Sequence, residues 1–382
     1  MTLSMLHLIR TLDPAAGGPV EFLKLICEAH TRMGARVAVA TLDDPAGEWG
    51  WPVAVIGCGP GAGSYGYHAG LARKLREIVK SFDLMIFHGL WEYSSVAGSK
   101  VTRKASIPYY VFTHGMLDPW FKKAFPLKHF KKQLYWLLFE RRILQCAKSV
   151  IFTSEGESRL AAKTFWPRSN YRKVVVPLGV RPPDGNREET RELFLAKYPH
   201  LKGKRFLLFL GRLHPKKGCD LLLEAFSRLH PPLELVLAGP MFTLEYLEHL
   251  QKMAAGLPVT FSGMLTGPVK SGAFAAAEAL VLPSHQENFG MVVAEALSFG
   301  LPVLISTQVN ISDVVASYNA GFVEPDTLSG TCSLIERWLA ADHCSIRPAA
   351  ERCYRDRFEI DRTARELLKV WSDGVMGDGV ME

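Results

Sequence analysis

Short apolar runs alternate with helix-like segments from the start of the chain, and this alternation restricts the fold more than any other feature. Residues 4–10 form a strand-like run, residues 20–33 show helical periodicity, and residues 36–41 form the next strand-like run. Two strands joined by a helix imply a parallel sheet with a right-handed crossover. The pattern therefore predicts an α/β fold. Further short apolar runs lie at residues 83–88, 109–113, 150–153 and 173–176.

Length and composition narrow the class of protein. A chain of 382 residues is long for one domain, so two domains are expected. Without an apolar run of eighteen residues or a signal-peptide pattern, the sequence predicts neither a membrane-spanning helix nor secretion. The seven cysteines are scattered and contain no Cys-x-x-Cys pair, which favours buried free thiols over a zinc site. We therefore expect a cytoplasmic protein.

A strand, a polar turn and a helix follow one another between residues 279 and 298, and this stretch is the first with chemical promise. The turn places the amides of Asn288, Phe289 and Gly290 at a helix start, where unpaired N–H groups and the helix dipole favour an anion. Glu287 lies in the turn and Glu295 eight residues later. Either glutamate alone is more often a dipole partner or a solvated side chain. Together they suit a ligand with hydroxyl groups on both sides of a phosphate, such as a nucleotide sugar.

A second anion site is predicted after the strand at residues 206–210. The loop that follows contains Gly211, Arg212, Lys217 and Gly218, and a helix begins directly after it. Flexible backbone, a helix start and cations suit a phosphate, although the spacing is not that of a P-loop. From the loop alone, a solvated basic loop is an equally good interpretation.

The two stretches together resemble the retaining GT-B glycosyltransferases of family 4, also called glycosyl transferases group 1. The resemblance rests on Glu287-x7-Glu295 with Phe289-Gly290 between them, and on the Gly-Arg…Lys-Gly element of the basic loop. It implies an α/β, GT-B architecture in which two Rossmann-like domains with parallel sheets face each other across a cleft. Residues 1–178 would bind the acceptor and residues 179–359 the donor. A last helix at about residues 360–372 would cross back to the first domain.

The resemblance also implies roles for residues in the donor-binding domain. It implies that Glu287 is a catalytic residue that binds the hydroxyl groups of the transferred sugar, and that Glu295 binds the ribose. Lys216 has no counterpart in the family pattern, and we expect it to be exposed. The base pocket would contain Gly263, Met264 and Leu265, and the diphosphate would be held by Arg212, Lys217, Gly18 and the amides of Asn288, Phe289 and Gly290.

Two histidines follow apolar strands in the first half of the chain, at the sheet edge that faces ligands in open parallel sheets. The resemblance gives His114 a catalytic contact with the transferred sugar. His88 is either a structural histidine or a group on the acceptor side. The same choice applies to Gly17, which is either part of a plain tight turn or of the family's Gly-Gly loop beside the acceptor. Leu178 stands where the family has Asn, so the role of that Asn is in doubt here.

Residues 120–142 combine lysines with aromatic and aliphatic side chains. Seven basic residues and one acidic residue between positions 121 and 142 give this stretch six of the seven excess positive charges. One interpretation is an amphipathic helix on an anionic membrane. The other is a solvated helix that packs its aromatic residues inward. No nucleic-acid-binding motif accompanies the charge, so no nucleic acid partner is expected.

These observations predict a retaining glycosyltransferase that moves a sugar from a nucleotide-diphosphate sugar to a hydroxyl acceptor. The acceptor would be a polysaccharide or lipid-linked intermediate. If residues 120–142 bind a membrane, this cytoplasmic protein would be peripheral on the inner face of the cytoplasmic membrane. No cofactor or metal is expected, because Arg212 and Lys217 would neutralise the leaving diphosphate. A GT-B nucleotide-sugar epimerase or hydrolase and a catalytically silent nucleotide-sugar-binding protein are the alternatives. The sequence leaves the donor sugar, the base and the acceptor open.

Overall fold

The structure is a computed structural model that describes residues 2–120, 122 and 125–376 and divides the chain into two units. Unit 1 contains Met1–Gly179 and Ile360–Glu382, and unit 2 contains Val180–Glu359. The first division lies one residue after the boundary suggested by the sequence. The chain returns to unit 1 at residue 360, where the last helix begins.

Unit 1 is built on a sheet of seven strands whose recorded pairings are all parallel. Its central strands are buried on both faces, which explains why they read as continuous apolar runs. The strands are β1 (Ser4–Ile9), β2 (Arg36–Thr41), β3 (Ala54–Gly57), β4 (Leu84–His88), β5 (Tyr109–Phe112), β6 (Ser149–Phe152) and β7 (Lys173–Val175), in the spatial order β3-β2-β1-β4-β5-β6-β7.

Six α-helices of unit 1 precede unit 2 among the residues that the structure describes. A five-residue π-helical turn, Trp136–Glu140, joins the fourth to the fifth, so the basic stretch is not one continuous α-helix. The helices are α1 (Gly18–Arg32), α2 (Leu71–Ile78), α3 (Tyr93–Ala105), α4 (Pro126–Tyr135), α5 (Arg141–Cys146) and α6 (Glu155–Ala161).

The elements of unit 1 that the sequence analysis missed include β3 and α3. Strand β3 lies at the sheet edge and is only partly buried, so it lacks a strong apolar signal. Helix α3 buries small residues such as Ser95 and Ser99 in place of large apolar ones. Gly98 shows why, because a Cβ atom there would lie 2.8 Å from the ring of Phe87. Close packing of a helix on a strand thus hides the apolar periodicity.

Unit 2 has the strand order of a Rossmann fold, with six parallel strands arranged β10-β9-β8-β11-β12-β13. The strands are β8 (Phe206–Leu210), β9 (Glu234–Ala238), β10 (Val259–Gly263), β11 (Ala279–Leu282), β12 (Val303–Ser306) and β13 (Gly321–Glu324). The helices are α7 (Arg187–Lys197), α8 (Cys219–Leu229), α9 (Leu244–Met253), α10 (Gly267–Ala276), α11 (Met291–Ser298), α12 (Ser312–Tyr318), α13 (Leu328–Ala340) and α14 (His343–Arg357).

The last helix, α15 (Ile360–Met376), packs against α1 in unit 1 and is longer than the helix predicted at 360–372. Arg32 of α1 forms an ion pair with Asp361 at 2.6 Å, and the ring of His30 contacts the carbonyl of Ala364 at 3.1 Å. Trp371 is completely buried. These contacts make the end of the described chain part of the unit 1 core.

Two expectations about the whole chain are tested by these elements. None of the described helices combines the length and the apolar character that crossing a bilayer requires. The expectation of buried free thiols holds for only part of the cysteines. All seven are free, and Cys27, Cys58, Cys219 and Cys353 are buried, but Cys146 and Cys344 are exposed.

Each sheet reverses its winding direction at one place, and ligands of such folds bind beside that place, outside the carboxyl ends of the strands. In unit 1 the reversal lies between β1 and β4, and in unit 2 between β8 and β11. The two predicted anion loops of unit 2 are the loops that follow β8 and β11. His88 is the last residue of β4, and Gly17 follows β1. The two anion loops, His88 and Gly17 therefore lie at the two reversal points.

Candidate active site

The two predicted anion loops of unit 2 pack directly on each other. The backbone amide of His285 donates to the carbonyl of Lys216 at 2.9 Å. Gly218 has a φ of 69°, and a Cβ atom there would lie 2.3 Å from the carbonyl oxygen of Pro283. A side chain at residue 218 would therefore push the loops apart. The chain needs glycine there to bring the basic residues next to Glu287.

The contact between the loops forms an ion pair that joins two predicted site residues. The ammonium of Lys217 donates to the Glu287 carboxylate, and the two side chains are only 18% and 16% exposed. Beside them, the ammonium of Lys216 donates to Oε1 of Gln286 at 2.8 Å. The expectation that Lys216 is exposed was wrong, because packing of the loops leaves it half-buried.

The basic loop concentrates positive charge where burial makes it costly. Burial, together with the positive charges of Lys216 and Arg212, lowers the pKa of the Lys217 ammonium to about 7. Arg212 itself is exposed. An anion bound at this loop would lie against Lys217 and stabilise its charged form. The local charge therefore favours a ligand with phosphate groups.

The backbone of Glu287 is fixed by the loop that follows β12. Its amide donates to the carbonyl of Gln308 at 3.0 Å, and its carbonyl accepts from the amide of Asn310 at 3.1 Å. The neighbouring His285 contacts the carboxylate of Asp326 at 3.0 Å. The Glu287 turn is thus held on both sides, so its side chain can exchange Lys217 for another partner without a change of backbone.

The helix after Glu287 begins at the predicted position, but the three residues that precede it make different contacts. Gly290, with a φ of 78°, directly precedes α11. Asn288 accepts from the amide group of Asn310 at 3.5 Å. The ring of Phe289 is 2% exposed and packs edge-on against Phe358 with ring centroids 5.6 Å apart. Phe289 can therefore offer a ligand only its backbone, and the anion role of the three amides stays a prediction.

The other residues predicted to bind the nucleoside are spread over two elements. Glu295 lies in α11 and pairs with Lys270 at 2.8 Å, so a ribose would have to displace or share that lysine. Gly263 ends β10, and Met264 after it is 67% exposed. Leu265 is 6% exposed, which makes its side chain part of the core. The ribose and base roles of these residues remain predictions.

In unit 1, a buried carboxylate fixes the turn that carries His114. Glu157 accepts hydrogen bonds from the hydroxyl of Thr113 at 2.5 Å and the amide of Gly115 at 2.6 Å. It also accepts from the amide and the hydroxyl of Thr153, both at 2.7 Å. His114 between these partners has a φ of 46°, a left-handed conformation that is unfavourable for a non-glycine residue. Glu157 stabilises that conformation.

The side chain of His114 ends a row of three histidines. Its Nε2 atom contacts Nδ1 of His88 at 3.0 Å, and Nε2 of His88 contacts Nδ1 of His7 at 2.9 Å. In each contact one nitrogen donates and the other accepts, so the tautomers of the three rings depend on one another. The row leaves Nδ1 as the nitrogen of His114 that can bind a ligand. His88 is thus a neighbour of His114, and its place on the acceptor side remains a prediction.

Burial keeps the three histidines neutral. It lowers the pKa of His7 to about 3 and that of His114 to about 4, and it lowers the pKa of His88 well below its usual value. His114 therefore offers a dipolar contact rather than a positive charge near neutral pH. Such a group can orient or polarise a sugar hydroxyl without repelling a carbon atom on which positive charge develops.

Burial also favours the uncharged form of two glutamates near the end of β4. Burial raises the pKa of Glu92 to about 7 and that of Glu140 to about 8. Oε2 of Glu140 accepts from the amide of Trp91 at 3.1 Å, and Glu92 lies 3.9 Å from the guanidinium of Arg10. The carboxyl edge of the unit 1 sheet thus carries ionisable groups whose charge burial suppresses.

The two glycines of the opening loop have different conformations. Gly17 has a φ of 83° and directly precedes α1, whereas Gly18 is the first residue of that helix. The diphosphate role of Gly18 and the acceptor role of Gly17 stay predictions. The sequence analysis missed Glu157, His7, Lys270 and Gln286, which matter through contacts with distant residues. Only the position of His7 in an apolar strand gave any signal.

Comparison with known proteins extends the similarity over both halves of the chain. Residues 17–179 match a model described as "Glycosyl transferase 4-like domain", and residues 190–339 match "Glycosyl transferases group 1". D-inositol 3-phosphate glycosyltransferase of Geodermatophilus obscurus is 31% identical over 61% of this chain and 54% of its own. O-antigen chain mannosyltransferase C of Escherichia coli is 30% identical over 41% of this chain and 39% of its own.

The curated relatives differ in extent from this chain, which spans about half of their length or less. A solved structure matches more completely. The Anabaena protein HepE, in complex with UDP and glucose, aligns with 97% of this chain and 100% of its own, with a TM-score of 0.74 at 20% identity. That similarity establishes the fold, two Rossmann-like α/β domains of the GT-B class.

Proposed function

We propose that this chain, whose two halves resemble the group 1 glycosyltransferases, transfers a sugar from a nucleotide-diphosphate sugar to a hydroxyl group of a glycan or lipid-linked acceptor. Unit 2 binds the donor and unit 1 the acceptor. The reaction retains the configuration of the transferred sugar. These assignments extend the family resemblance to the residues whose geometry is described above.

The observation that carries the proposal is the buried Lys217–Glu287 pair at the reversal point of unit 2. Two more cations, Lys216 and Arg212, act on the same ammonium. Three cations beside one carboxylate leave excess positive charge in the empty site. A sugar diphosphate would supply the negative charge that balances it. The diphosphate takes Lys217 as its partner, and Glu287 then accepts hydrogen bonds from sugar hydroxyls. Donor binding thus replaces one internal contact with two external ones.

The same cations explain how the leaving group is stabilised. As the bond between the anomeric carbon and the diphosphate oxygen breaks, negative charge grows on the diphosphate, next to Lys217 and Arg212. The acceptor oxygen forms its new bond on the same face of the sugar and transfers its proton to the departing diphosphate. Neutral His114 contacts the sugar through Nδ1. These groups need no divalent metal for neutralisation, so transfer should persist in the presence of a chelator.

The proposal is tested by incubating the protein with UDP-, GDP- and ADP-sugars and a mixture of glycan acceptors. UDP-glucose is the first choice of donor because HepE binds UDP and glucose. We expect mass spectrometry to show an acceptor one sugar heavier, and NMR to show the anomeric configuration of the donor. Free sugar as the sole product would favour a hydrolase, an altered nucleotide sugar an epimerase, and binding without turnover a silent protein. Each of these results would overturn the proposal.

We further propose that α4 and the π-helical turn place unit 1 on an anionic membrane. Apolar side chains there are exposed, with Leu127 at 83%, Phe130 at 64% and Leu138 at 70%. Lys128 and Lys131 beside them are exposed too. Exposed apolar area with flanking lysines fits the boundary between acyl chains and anionic headgroups. The inward-packing alternative is correct for Trp136, which is 3% exposed. Phe121 and Lys123 of this stretch lie outside the described residues.

Charge reversal at Lys128 and Lys131 tests the membrane proposal. Lys132 is left unchanged because its ammonium lies 4.8 Å from the ring centroid of Trp91, so replacing it would disturb packing. We expect the double Glu variant to lose sedimentation with phosphatidylglycerol vesicles, while wild type sediments in a salt-dependent way. The same reversal at exposed Lys100 and Lys104 of α3 is the control. Equal binding by both double variants would contradict the proposal.

A further inference from the structure

A cavity of about 460 Å³ lies at the carboxyl edge of the unit 1 sheet, beside the reversal point. The loops after β1 and β2 line it, and Gly17 belongs to its wall. Its volume is within the range of cavities that bind small molecules. The proposed reaction needs an acceptor site in unit 1, and the sequence analysis gave that site no residues beyond Gly17 and His88.

Two carboxylates that line the cavity, those of Asp13 and Asp43, bind other groups of the chain and thereby fix the loops around it. Asp43 accepts from the hydroxyl of Thr11 at 2.8 Å, the amide of Leu12 at 2.7 Å and the hydroxyl of Thr41 at 2.7 Å. Asp13 accepts from the amide of Ala15 at 2.8 Å. These bonds tie the end of β1 to the end of β2, so the cavity exists before a ligand arrives.

Two tryptophans give the cavity flat apolar surfaces. Trp49 and Trp51 both line it and both are half-buried. The ring of Trp49 lies against the backbone of Gly47, where a Cβ atom would be 2.5 Å from the ring. Indole rings fixed in this way present faces on which the C–H groups of a pyranose ring can stack. Aliphatic residues of the same size would offer no such planar contact.

The charge of the cavity is opposite to that of the chain. Four carboxylates, those of Asp13, Glu21, Asp43 and Glu48, line it against the single ammonium of Lys24, although the chain carries a net charge of +7. Within the described part of the chain, the carboxylates of Glu21 and Glu48 make no hydrogen bond or ion pair. They remain available as acceptors for hydroxyl groups. A phosphate or carboxylate in the cavity would instead meet like charges.

We propose that this cavity binds the sugar residue of the acceptor, and that it selects a sugar without phosphate or carboxylate groups. Trp49 and Trp51 stack on the ring, and Glu21 and Glu48 accept hydrogen bonds from its hydroxyl groups. The inference rests on the proposed transfer reaction and adds the chemical class of the acceptor. It separates this chain from a relative whose name specifies a phosphorylated acceptor, the D-inositol 3-phosphate glycosyltransferase.

Saturation-transfer NMR tests the cavity with defined probes, methyl glycosides of glucose, galactose and mannose against glucose 6-phosphate and inositol 1-phosphate. We expect signals from at least one methyl glycoside with wild-type protein and from neither phosphate. Trp49→Ala and Trp51→Ala should lose that signal, and Trp49→Phe should keep part of it. Trp166→Ala, at an exposed tryptophan that does not line the cavity, is the control. Melting temperatures identify any variant that does not fold.

A charge-reversal variant tests whether the carboxylates of the cavity cause its preference for uncharged sugars. Glu21→Lys combined with Glu48→Lys should bind the phosphorylated probes and lose preference for the uncharged ones by roughly tenfold. Phosphates that bind wild type as well as the glycosides, or glycoside signals unchanged in both tryptophan-to-alanine variants, would overturn the inference.

Release of nucleoside diphosphate without an acceptor separates this inference from the proposed function. Donor hydrolysis without an acceptor does not require an occupied cavity, so the wild-type protein should cleave the matching donor whether or not a glycoside is bound. A protein that binds glycosides but neither binds nor cleaves any donor would refute the transfer reaction and not the cavity. Normal donor cleavage with no glycoside binding would refute the cavity alone.

Discussion

The two reversal points share a topology but treat charge in opposite ways. In unit 2, the loops after β8 and β11 bring Lys217 to the carboxylate of Glu287, and the charges of Lys216 and Arg212 act on the same ammonium. In unit 1, the corresponding strands β1 and β4 lead to buried histidines and to carboxyl groups whose pKa is raised. Related strand orders thus support two edges of different charge, and we propose a diphosphate as the ligand of the first and an uncharged sugar as the ligand of the second.

The difference suggests a division of labour between the units. Burial makes isolated charge costly, so an edge keeps buried charges only where a ligand or a partner neutralises them. In unit 2 the positive charges of Lys216 and Arg212 act on Lys217, and a charged leaving group would stabilise the ammonium form of Lys217. Unit 1 buries His114 and Glu140 in neutral form, which is expected of a site for hydroxyl groups. Four predictions test this contrast.

The largest effect is expected at the charged edge. Lys217→Ala removes the ammonium that faces the diphosphate and leaves Glu287 without its partner, so transfer should fall about 10³-fold. Arg212→Ala and Glu287→Ala should also nearly abolish transfer. Turnover is measured with saturating acceptor, and circular dichroism checks folding. Lys202→Ala, at an exposed position outside the loop, is the control. Near-normal turnover by folded Lys217→Ala protein would end the clamp argument.

The next effect concerns the turn that carries His114. Glu157→Gln replaces one acceptor oxygen by an amide group that cannot accept from backbone N–H, and the free energy of unfolding should fall by about 3 kcal/mol. Urea denaturation measures this change. Glu155→Gln, an exposed position on the same helix, should change it by less than about 0.5 kcal/mol. Equal stability of both variants would show that Glu157 does not hold the turn.

An effect of similar size is expected at Glu140, and it tests whether burial at the carboxyl edge of the unit 1 sheet keeps this side chain uncharged. Because the pKa of Glu140 is raised to about 8, the folded protein keeps a proton there that the unfolded chain releases above its ordinary pKa. The carboxyl therefore costs stability progressively as the pH rises from about 4.5 to about 8. Glu140→Gln removes this cost and should gain about 3.5 kcal/mol over wild type between pH 5 and pH 8.

Only the difference in unfolding free energy between Glu140→Gln and wild type is needed at each pH. The titrations of all other groups are common to both proteins and cancel. Urea denaturation at pH 5, 6, 7 and 8 provides it. Glu77→Gln, at an exposed position in α2, should show no such trend. A difference that is constant over this range would mean that Glu140 is ionised in the folded protein.

The smallest effect concerns the pH dependence of donor binding. With the pKa of Lys217 lowered to about 7, raising the pH from 7 to 8 leaves a smaller fraction of ammonium in the empty site. If only the ammonium binds the diphosphate, donor affinity should fall roughly fivefold over this interval. Isothermal titration calorimetry with the matching donor measures it. Lys217→Arg should bind with an affinity that does not depend on pH, and a parallel fall in both proteins would refute this explanation.

Much of the fold follows from local pattern. Strands such as β8 and helices such as α8 begin and end at the residues that the apolar runs and the breakers indicate. The exceptions are informative, because β3 and α3 owe their structure to neighbours and not to their own composition. Residues near a helix start, such as Glu287 and Lys217, could be proposed as site residues because the residues that give such a loop its chemistry are consecutive in the sequence.

Contacts between distant positions were beyond the reach of the sequence. Glu157 lies 44 residues from Thr113 and 42 from Gly115, and His7 lies 81 residues from His88. No local pattern indicates that β1 lies beside β4, so the histidine row could not be foreseen. The same is true of Lys216, whose half-buried position depends on a loop 70 residues away.

The sequence by itself determined the α/β class, the two-unit division and the charged residues of the two predicted anion loops, because strand length, helix starts and glycine positions are local properties. The tertiary structure decided which groups share an environment and what charge they keep. Strand order brings His7, His88 and His114 into one row and buries Glu140, and burial then sets the pKa of each. That burial depends on neighbours from all parts of the chain, and for this reason only the folded chain reveals it.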